Sequence, residues 1–431
     1  MFAKFLSLAI LGLFSGLGGN GQPLQGTEVA WQTAKLFDVP TQTDPVITEI
    51  INDYLDRLVS LGYDRDRQGI WMQSEWAYLA DNKAETPLPA ASLTKIATSF
   101  AVLDKWGLDH QFVTRFYADG PIQNGVLQGN LIVEGGYDPL FVWEEAITVG
   151  NALNQLGIRE ITGNLVIVGN FAMNFKTEPD IAGALFKWAI DQGQWSGLIE
   201  KQFTNLPPAT PRPQVKILGQ ITNQATVSPN AQPILEHQSL PVAALLKQMN
   251  IYSNNDMAEM FANSVGGAPV VTQTALRLAQ MPASEIQLQN GSGLGVDNRI
   301  SPQAITRLYQ ALQTQLQPHG MNIDDLFPVM GRDRQGTLEW RNMPQGLTVK
   351  TGTLNEVSAL AGVIPTQERG TVWFSIINGG PNFDRLRAEQ DKMLQRIAQH
   401  WQISPQDLAP GPTDKILLGD RQRNQSPTLS P

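Results

Sequence analysis

Apolar residues recur at helical spacing across residues 44–61, where Val46, Ile47, Ile50, Ile51, Leu55, Leu58 and Val59 fall on one stripe. Asp44 followed by Pro45 supplies an N-cap and a proline at the first helical position, so the pattern predicts a helix starting there. A second stripe runs through residues 92–106, with Leu93, Ile96, Ala97, Phe100, Leu103 and Trp106 on one face and Gly107 as its stop. Between the two, residues 69–80 (GIWMQSEWAYLA) are aromatic-rich and partly alternating, which predicts strand, and a loop with Pro87 and Pro89 follows.

From residue 114 to 233 the texture changes. Short β-like runs at 129–133 and 163–168 are separated by Gly and Asn turns, and residues 193–213, with Pro207, Pro208, Pro211 and Pro213, read as loop. Helical texture returns over 241–250 and 254–264. Residues 347–350, 358–364 and 371–378 then read as three strands, and a helix over 385–401 closes the pattern. Helices and strands near both ends, with a β-rich stretch between them, predict an α/β domain whose sheet is assembled from distant pieces of chain. No internal repeat is visible.

The two ends carry different signals. At the N-terminus, Lys4 precedes an apolar run from Phe5 to Phe14, and Ser15, Gly16, Gly18 and Gly19 follow. This is the layout of a secretory signal peptide, placed here at residues 1–22, and it predicts export to a periplasmic or otherwise extracytoplasmic space. The apolar run is shorter than the roughly 20 residues a membrane-spanning helix needs, and its glycines break a buried-helix pattern. The last stretch, 404–431, holds Pro405, Pro410, Pro412, Pro427 and Pro431 among polar neighbours and is expected to be a disordered tail.

Composition narrows the function classes. A chain of 431 residues predicts two or three domains at about 150 residues each. Its 42% hydrophobic content supports a sizeable core and excludes a wholly disordered chain. With 31 Lys+Arg against 40 Asp+Glu and no basic run, nucleic-acid binding is not expected, because such binding needs a positive surface. There is no cysteine, which excludes disulfides, thiolate catalysis and cysteine zinc sites. His110, His237, His319 and His400 are far apart and form no H-E-x-x-H, so no metal site is expected. Residues 291–295 are glycine-rich but no G-K-[ST] follows, so they read as a turn rather than a phosphate loop.

Three short motifs carry the chemistry. Ser92-Leu93-Thr94-Lys95 is an S-x-x-K: on a helix, positions i and i+3 share a face, so the hydroxyl and the amine can meet. A serine hydroxyl is a weak nucleophile until a base takes its proton, and a partly buried, deprotonated lysine is such a base. Roughly one S-x-x-K is expected by chance in a chain of this composition, so it decides nothing alone. Ser253-Asn254-Asn255 is an S-x-N, offering a hydroxyl to relay a proton and an amide to hold a carbonyl, although Ser and Asn also favour a plain helix N-cap. Lys350-Thr351-Gly352-Thr353 lies on an apparent strand and offers positive charge, two hydroxyls and a glycine that lets substrate approach the backbone. A strand edge beside the nucleophile can also give an N–H to an oxyanion hole, although the segment also reads as a strand-end turn.

In this order the three motifs form the serine–lysine acyl-transfer set of penicillin-binding proteins and β-lactamases. With residues 90–95 (AASLTK), 133–139 (VEGGYDP), 253–259 (SNNDMAE), 290–294 (NGSGL), 298–302 (NRISP) and 350–354 (KTGTL), the chain resembles the class C low-molecular-mass penicillin-binding proteins. These are the D-alanyl-D-alanine carboxypeptidase/endopeptidase family, and the likeness extends over residues 44–399. The resemblance implies an α/β fold: a penicillin-binding/β-lactamase-like domain, its sheet flanked by helices, with an inserted β-rich domain. The domain parts would be 23–113 and 234–403, and the insert 114–233 would be shorter than in members with two inserted domains.

By the same resemblance, Ser92 is the acylated nucleophile and Lys95 its base. Ser253 and Asn255 assist proton transfer and substrate binding, and Lys350, Thr351, Gly352 and Thr353 form the substrate-binding strand that holds the terminal carboxylate. The N–H groups of Ser92 and Thr353 make the oxyanion hole, and no group is assigned to the deacylating water. The implied partners are peptidoglycan stem peptides ending in D-Ala-D-Ala, with β-lactams as covalent inhibitors; no metal or organic cofactor is implied. Tyr252-Ser253-Asn254 also reads as the Y-x-N of class C β-lactamases and related esterases, in which the tyrosine is the base. A β-lactamase or esterase on the same fold, or a non-catalytic cell-wall binding protein, are the competing readings.

Overall fold

The Asp44 side chain accepts hydrogen bonds from the N–H groups of Val46 and Ile47, so helix α1 (Pro45–Ser60) starts at the predicted proline. The computed structural model describes residues 44–75, 77–333, 335–404 and 408–427; the expected signal peptide at 1–22 lies outside the described residues. The run predicted as one strand over 69–80 is two antiparallel strands, β1 (Gln68–Ser74) and β2 (Tyr78–Asn82). The chain reverses where the Ser74 N–H donates to the Ala77 carbonyl at 2.8 Å. Helix α2 (Thr94–Trp106) ends at Gly107, whose φ of 76° is the left-handed value expected of a glycine cap.

The next stretch alternates strand and helix. In chain order it holds β3 (Val113–Ala118), β4 (Leu131–Gly136), α3 (Trp143–Gln155), β5 (Leu165–Asn170), α4 (Pro179–Ala189), α5 (Gly197–Phe203), β6 (Ile221–Gln224) and β7 (Gln232–Gln238). Four helices follow: α6 (Val242–Tyr252), α7 (Asn255–Val265), α8 (Ala268–Leu278) and α9 (Pro302–Leu316). The chain closes with β8 (Thr348–Leu354), β9 (Val357–Thr366), β10 (Gly370–Gly379) and α10 (Phe383–Trp401), and a short β11 (Asn424–Gln425) lies near the C-terminus.

These elements build two principal sheets. The first is antiparallel with strand order β8-β9-β10-β1-β2, so its neighbours come from both ends of the chain, as the sequence predicts. Period-two alternation sends its side chains to opposite faces. Ile70, Met72, Leu360, Phe374 and Ile376 pack with α1 and α10, while Ala359, Ala361, Trp373 and Ile377 join the apolar core of α2 and α6–α9. The sheet is therefore covered on both sides, with Trp401 of α10 donating a buried hydrogen bond to Asp44 at 3.1 Å. The second sheet has order β6-β5-β4-β3-β7-β11 and mixes parallel and antiparallel pairs. Among the described residues no helix is long and apolar enough to cross a membrane.

Four expectations are corrected. The stretch expected as a β-rich insert is mixed α/β: α3 buries Ala146, Ile147, Val149 and Leu153 at helical spacing against the second sheet. Within the predicted loop 193–213, α5 forms because the proline cluster begins only at Pro207, past the helix end, and Ser196 caps its start. Strand β7 runs to Gln238 and pairs with β3 up to that residue, with one irregularity between Pro233 and Leu235, so the chain leaves this sheet at Ser239 rather than at residue 234. Finally, residues 408–427 are not a disordered tail. β11 pairs with β7, and Arg423 donates to the buried Glu145 carboxylate at 2.6 Å, which also accepts from the Gly419 N–H. Those pairings are non-local, and local proline content does not report them.

Candidate active site

Ser92 lies in a 3₁₀ turn, Ala91–Leu93, that leads directly into α2. Ala91 holds a positive φ of 49°, a conformation unusual for a residue with a Cβ. It is held there from outside: Gly293, itself at φ +82°, lies so close that any Cβ on it would overlap the Ala91 carbonyl oxygen. Gly293→Ala is therefore expected to destabilise the fold by more than about 2 kcal/mol and to slow reaction at Ser92, which thermal denaturation and acylation rates would measure together. A fully stable and active variant would show that this contact does not set the turn.

One helical turn on, the Lys95 side chain is fully buried. Its Nζ lies 3.0 Å from Ser92 Oγ, 2.7 Å from Asn255 Oδ1 and 2.8 Å from the Ser292 carbonyl oxygen. Two of these partners can only accept. A neutral amine has two protons and one lone pair, so donation to Asn255 and Ser292 leaves the lone pair facing the Ser92 hydroxyl. Burial lowers the Lys95 pKa from 10.5 to about 7, with Glu259 pulling the other way. The neutral form that the geometry fits is thus accessible at ordinary pH.

The second motif breaks up in an informative way. Ser253 caps the end of α6 in the left-handed region, φ 51° and ψ 40°, and Asn254 is the N-cap of α7, accepting from the Met257 N–H at 3.0 Å. Asn254 thus takes the capping role that the sequence allowed for the whole motif. Ser253 is left to accept from Lys350 Nζ at 2.9 Å, and Asn255 is left to Lys95. Tyr252, the rival base, is half exposed and donates instead to Gln335 Oε1 at 2.7 Å.

Lys350 stands on β8, the edge strand of the first sheet, where it is fully buried and also donates to the Thr351 carbonyl. Burial, reinforced by the nearby Lys95 charge, holds its pKa well below the ordinary lysine range. Gly352 is where the strand passes the nucleophile: a Cβ there would stand 3.0 Å from the Ser92 nitrogen. Thr351 is buried and Thr353 partly exposed, and the Thr353 hydroxyl accepts from Arg387 of α10 at 2.6 Å. The structure therefore brings all eight predicted residues to one place, from α2 and the turn before it, the α6–α7 junction and β8.

Two contributors were not predicted. Glu259 accepts from the N–H groups of Gly291 and Ser292 at 3.1 and 2.9 Å, and so fixes the loop whose carbonyl meets Lys95. Its position four residues after Asn255, on the same face of α7, is a signal the sequence does carry. The Ser292 contribution is a backbone carbonyl, which no residue type advertises.

The family model for D-Ala-D-Ala carboxypeptidase 3 (S13) matches residues 65–181 and 212–400. The chain belongs to this family. The class C low-molecular-mass penicillin-binding assignment and the serine-type D-Ala-D-Ala carboxypeptidase expected from the motifs are thereby borne out at the family level. A carboxypeptidase of Mycobacterium tuberculosis is 28% identical over 355 residues, 72% of this chain and 75% of that protein. Carboxypeptidase DacB of Mycolicibacterium smegmatis is 32% identical over 168 residues, covering 34% of this chain and 36% of that protein's length. Among solved structures, the penicillin G-acylated predatory endopeptidase of Bdellovibrio bacteriovorus, in complex with its immunity protein, superposes with a TM-score of 0.65 at 20% identity. It covers 77% of this chain and 91% of that one, and this likeness establishes the penicillin-binding α/β fold.

Proposed function

We propose that this S13-family chain is a peptidoglycan DD-peptidase that cleaves D-alanyl-D-alanine through an ester on Ser92 and is inhibited by β-lactams through the same serine. The observation that carries the reading is the three-partner environment of Lys95, whose remaining lone pair faces Ser92. Ser92 Oγ attacks the carbonyl carbon of the penultimate D-alanine as Lys95 takes the hydroxyl proton. Negative charge on the carbonyl oxygen is met by the N–H groups of Ser92 and Thr353. The C–N bond then breaks, and Ser253, hydrogen-bonded to Lys350, relays a proton to the leaving amine. Water hydrolyses the ester, giving a shortened peptide and free Ser92.

Lys350, Thr351 and Thr353 hold the terminal carboxylate beside Gly352, and the Asn255 amide NH₂ is offered to the substrate carbonyl. Carboxypeptidase and endopeptidase action share this ester and differ only in the leaving amine. No step calls for a metal or organic cofactor. The signal-peptide layout at residues 1–22 supports export to the compartment that holds peptidoglycan.

The S-x-N and Y-x-N readings separate by mutation. Ser253→Ala is expected to lower kcat/KM for D-alanine release by about a hundredfold or more, the scale of a lost general acid. Tyr252→Phe is expected to stay within about twofold, because that hydroxyl is spent on Gln335. Activity that survives the first change but not the second would make Tyr252 the base.

A further inference from the structure

We propose that Arg387 is a positioning and specificity residue for the substrate's terminal carboxylate, acting through the Thr353 hydroxyl. The inference deepens the reading of Ser92 as nucleophile and rests on it. Arg387 lies in the first turns of α10, and its side chain is about one-third exposed (31%). It stacks 4.7 Å over the Phe383 ring and reaches β8, donating to Thr353 Oγ1 at 2.6 Å. The stacking fixes the plane of the guanidinium, so the hydrogen bond is delivered by a preorganised group.

Donor and acceptor logic sets the consequence. A guanidinium can only donate, so Thr353 Oγ1 is the acceptor in this pair, and its own proton is left for a second partner. Among the described residues, the Thr353 hydroxyl donates to nothing. A hydroxyl polarised from behind by a cation, three residues beyond Lys350 on the strand edge, suits an anionic oxygen. The other ionic contact of Arg387 is Asp384 at 3.2 Å, whose side chain is 77% exposed, so water screens that pair and it contributes little to holding α10 in place. The function of the long reach to β8 is therefore at the site: it fixes the rotamer of the hydroxyl and adds a positive charge behind a carboxylate.

The role predicts selectivity rather than a general loss. Benzylpenicillin, with a free carboxylate, and its methyl ester are the two probes, and rates of adduct formation are followed by intact-mass spectrometry. Arg387→Met is expected to slow acylation by the free acid by about ten- to a hundredfold, the scale of one charge-assisted hydrogen bond. Acylation by the ester is expected to stay within about twofold, which also reports that the site is still assembled. Arg387→Lys keeps the charge but not the stacked guanidinium plane, so it is expected to recover only part of the free-acid rate and to remain about three- to tenfold below the parent. Thr353→Val is expected to slow acylation by the free acid by a similar factor, and the double variant no more than that, since the two residues act as one unit.

Equal losses with both probes, no loss with either, or additive losses in the double variant would overturn the assignment. If Arg387→Met does not fold, the same selectivity comparison is decided by Arg387→Gln, which also removes the charge. A parent protein that forms no adduct with either probe would overturn the Ser92 reading itself. An acylated parent whose Arg387→Met variant keeps its preference for the free acid would overturn the Arg387 assignment alone.

Discussion

Ser92→Ala is expected to reduce D-alanine release from a D-Ala-D-Ala peptide by at least about a thousandfold while leaving the fold intact, because loss of a covalent nucleophile removes the reaction path and not merely a contact. The change is small and local. Ser92 Oγ makes its described hydrogen bond to Lys95, and Lys95 keeps two other acceptors in Asn255 and Ser292. Thermal denaturation should therefore move by no more than the loss of about one hydrogen bond, about 1 kcal/mol. Activity retained within tenfold of the parent would contradict the acyl-enzyme account.

The second large effect concerns Lys95 and has a pH signature. Burial pulls this amine down to about 7, so at pH 8 most of it is neutral and able to accept the Ser92 proton. Below that pKa the neutral fraction falls about tenfold per pH unit, and acylation is expected to fall with it. The rate should thus rise with pH through about 7 and then level. Lys95→Arg keeps a cation that cannot be deprotonated, so it is expected to lose about a hundredfold to ten-thousandfold at every pH and to show no such limb. A parental profile flat from pH 5 to 9, or an arginine variant that retains the limb, would contradict Lys95 as the base.

Much of the site was readable from residue types because its chemistry depends on side chains with narrow roles. Ser92, in the 3₁₀ turn that enters α2, is three residues before Lys95 on that helix, and Lys350 to Thr353 sit on a predicted strand that is observed as β8. The pairings across motifs were not readable. Nothing local says that Lys95 meets Asn255 or that Lys350 meets Ser253, since these contacts span 160 and 97 residues. Nor could composition decide which of three adjacent capping residues, Ser253, Asn254 and Asn255, would cap α7; the left-handed turn at Ser253 makes that choice.

The fold shows the same division. Helices with clean stripes and good caps, such as α1 and α2, and the three C-terminal strands are observed where they were expected, within a few residues. Helix α5 was hidden by neighbouring prolines, and the ordered segment 408–427 by its composition. Its stabilising partners, Glu145 and strand β7, are supplied by distant chain. The Arg387 to Thr353 contact belongs to this second class, joining a surface-patterned helix to the KTGT strand.

The central claim is that Ser92 is acylated. Intact-mass spectrometry after exposure to benzylpenicillin tests it directly, with Ser92→Ala treated in parallel. The account predicts one stable penicilloyl adduct on the parent and none on the variant. No adduct on a parent that consumes the drug would point to a β-lactamase, and an adduct that persists on Ser92→Ala would place the nucleophile elsewhere; either result would contradict the account.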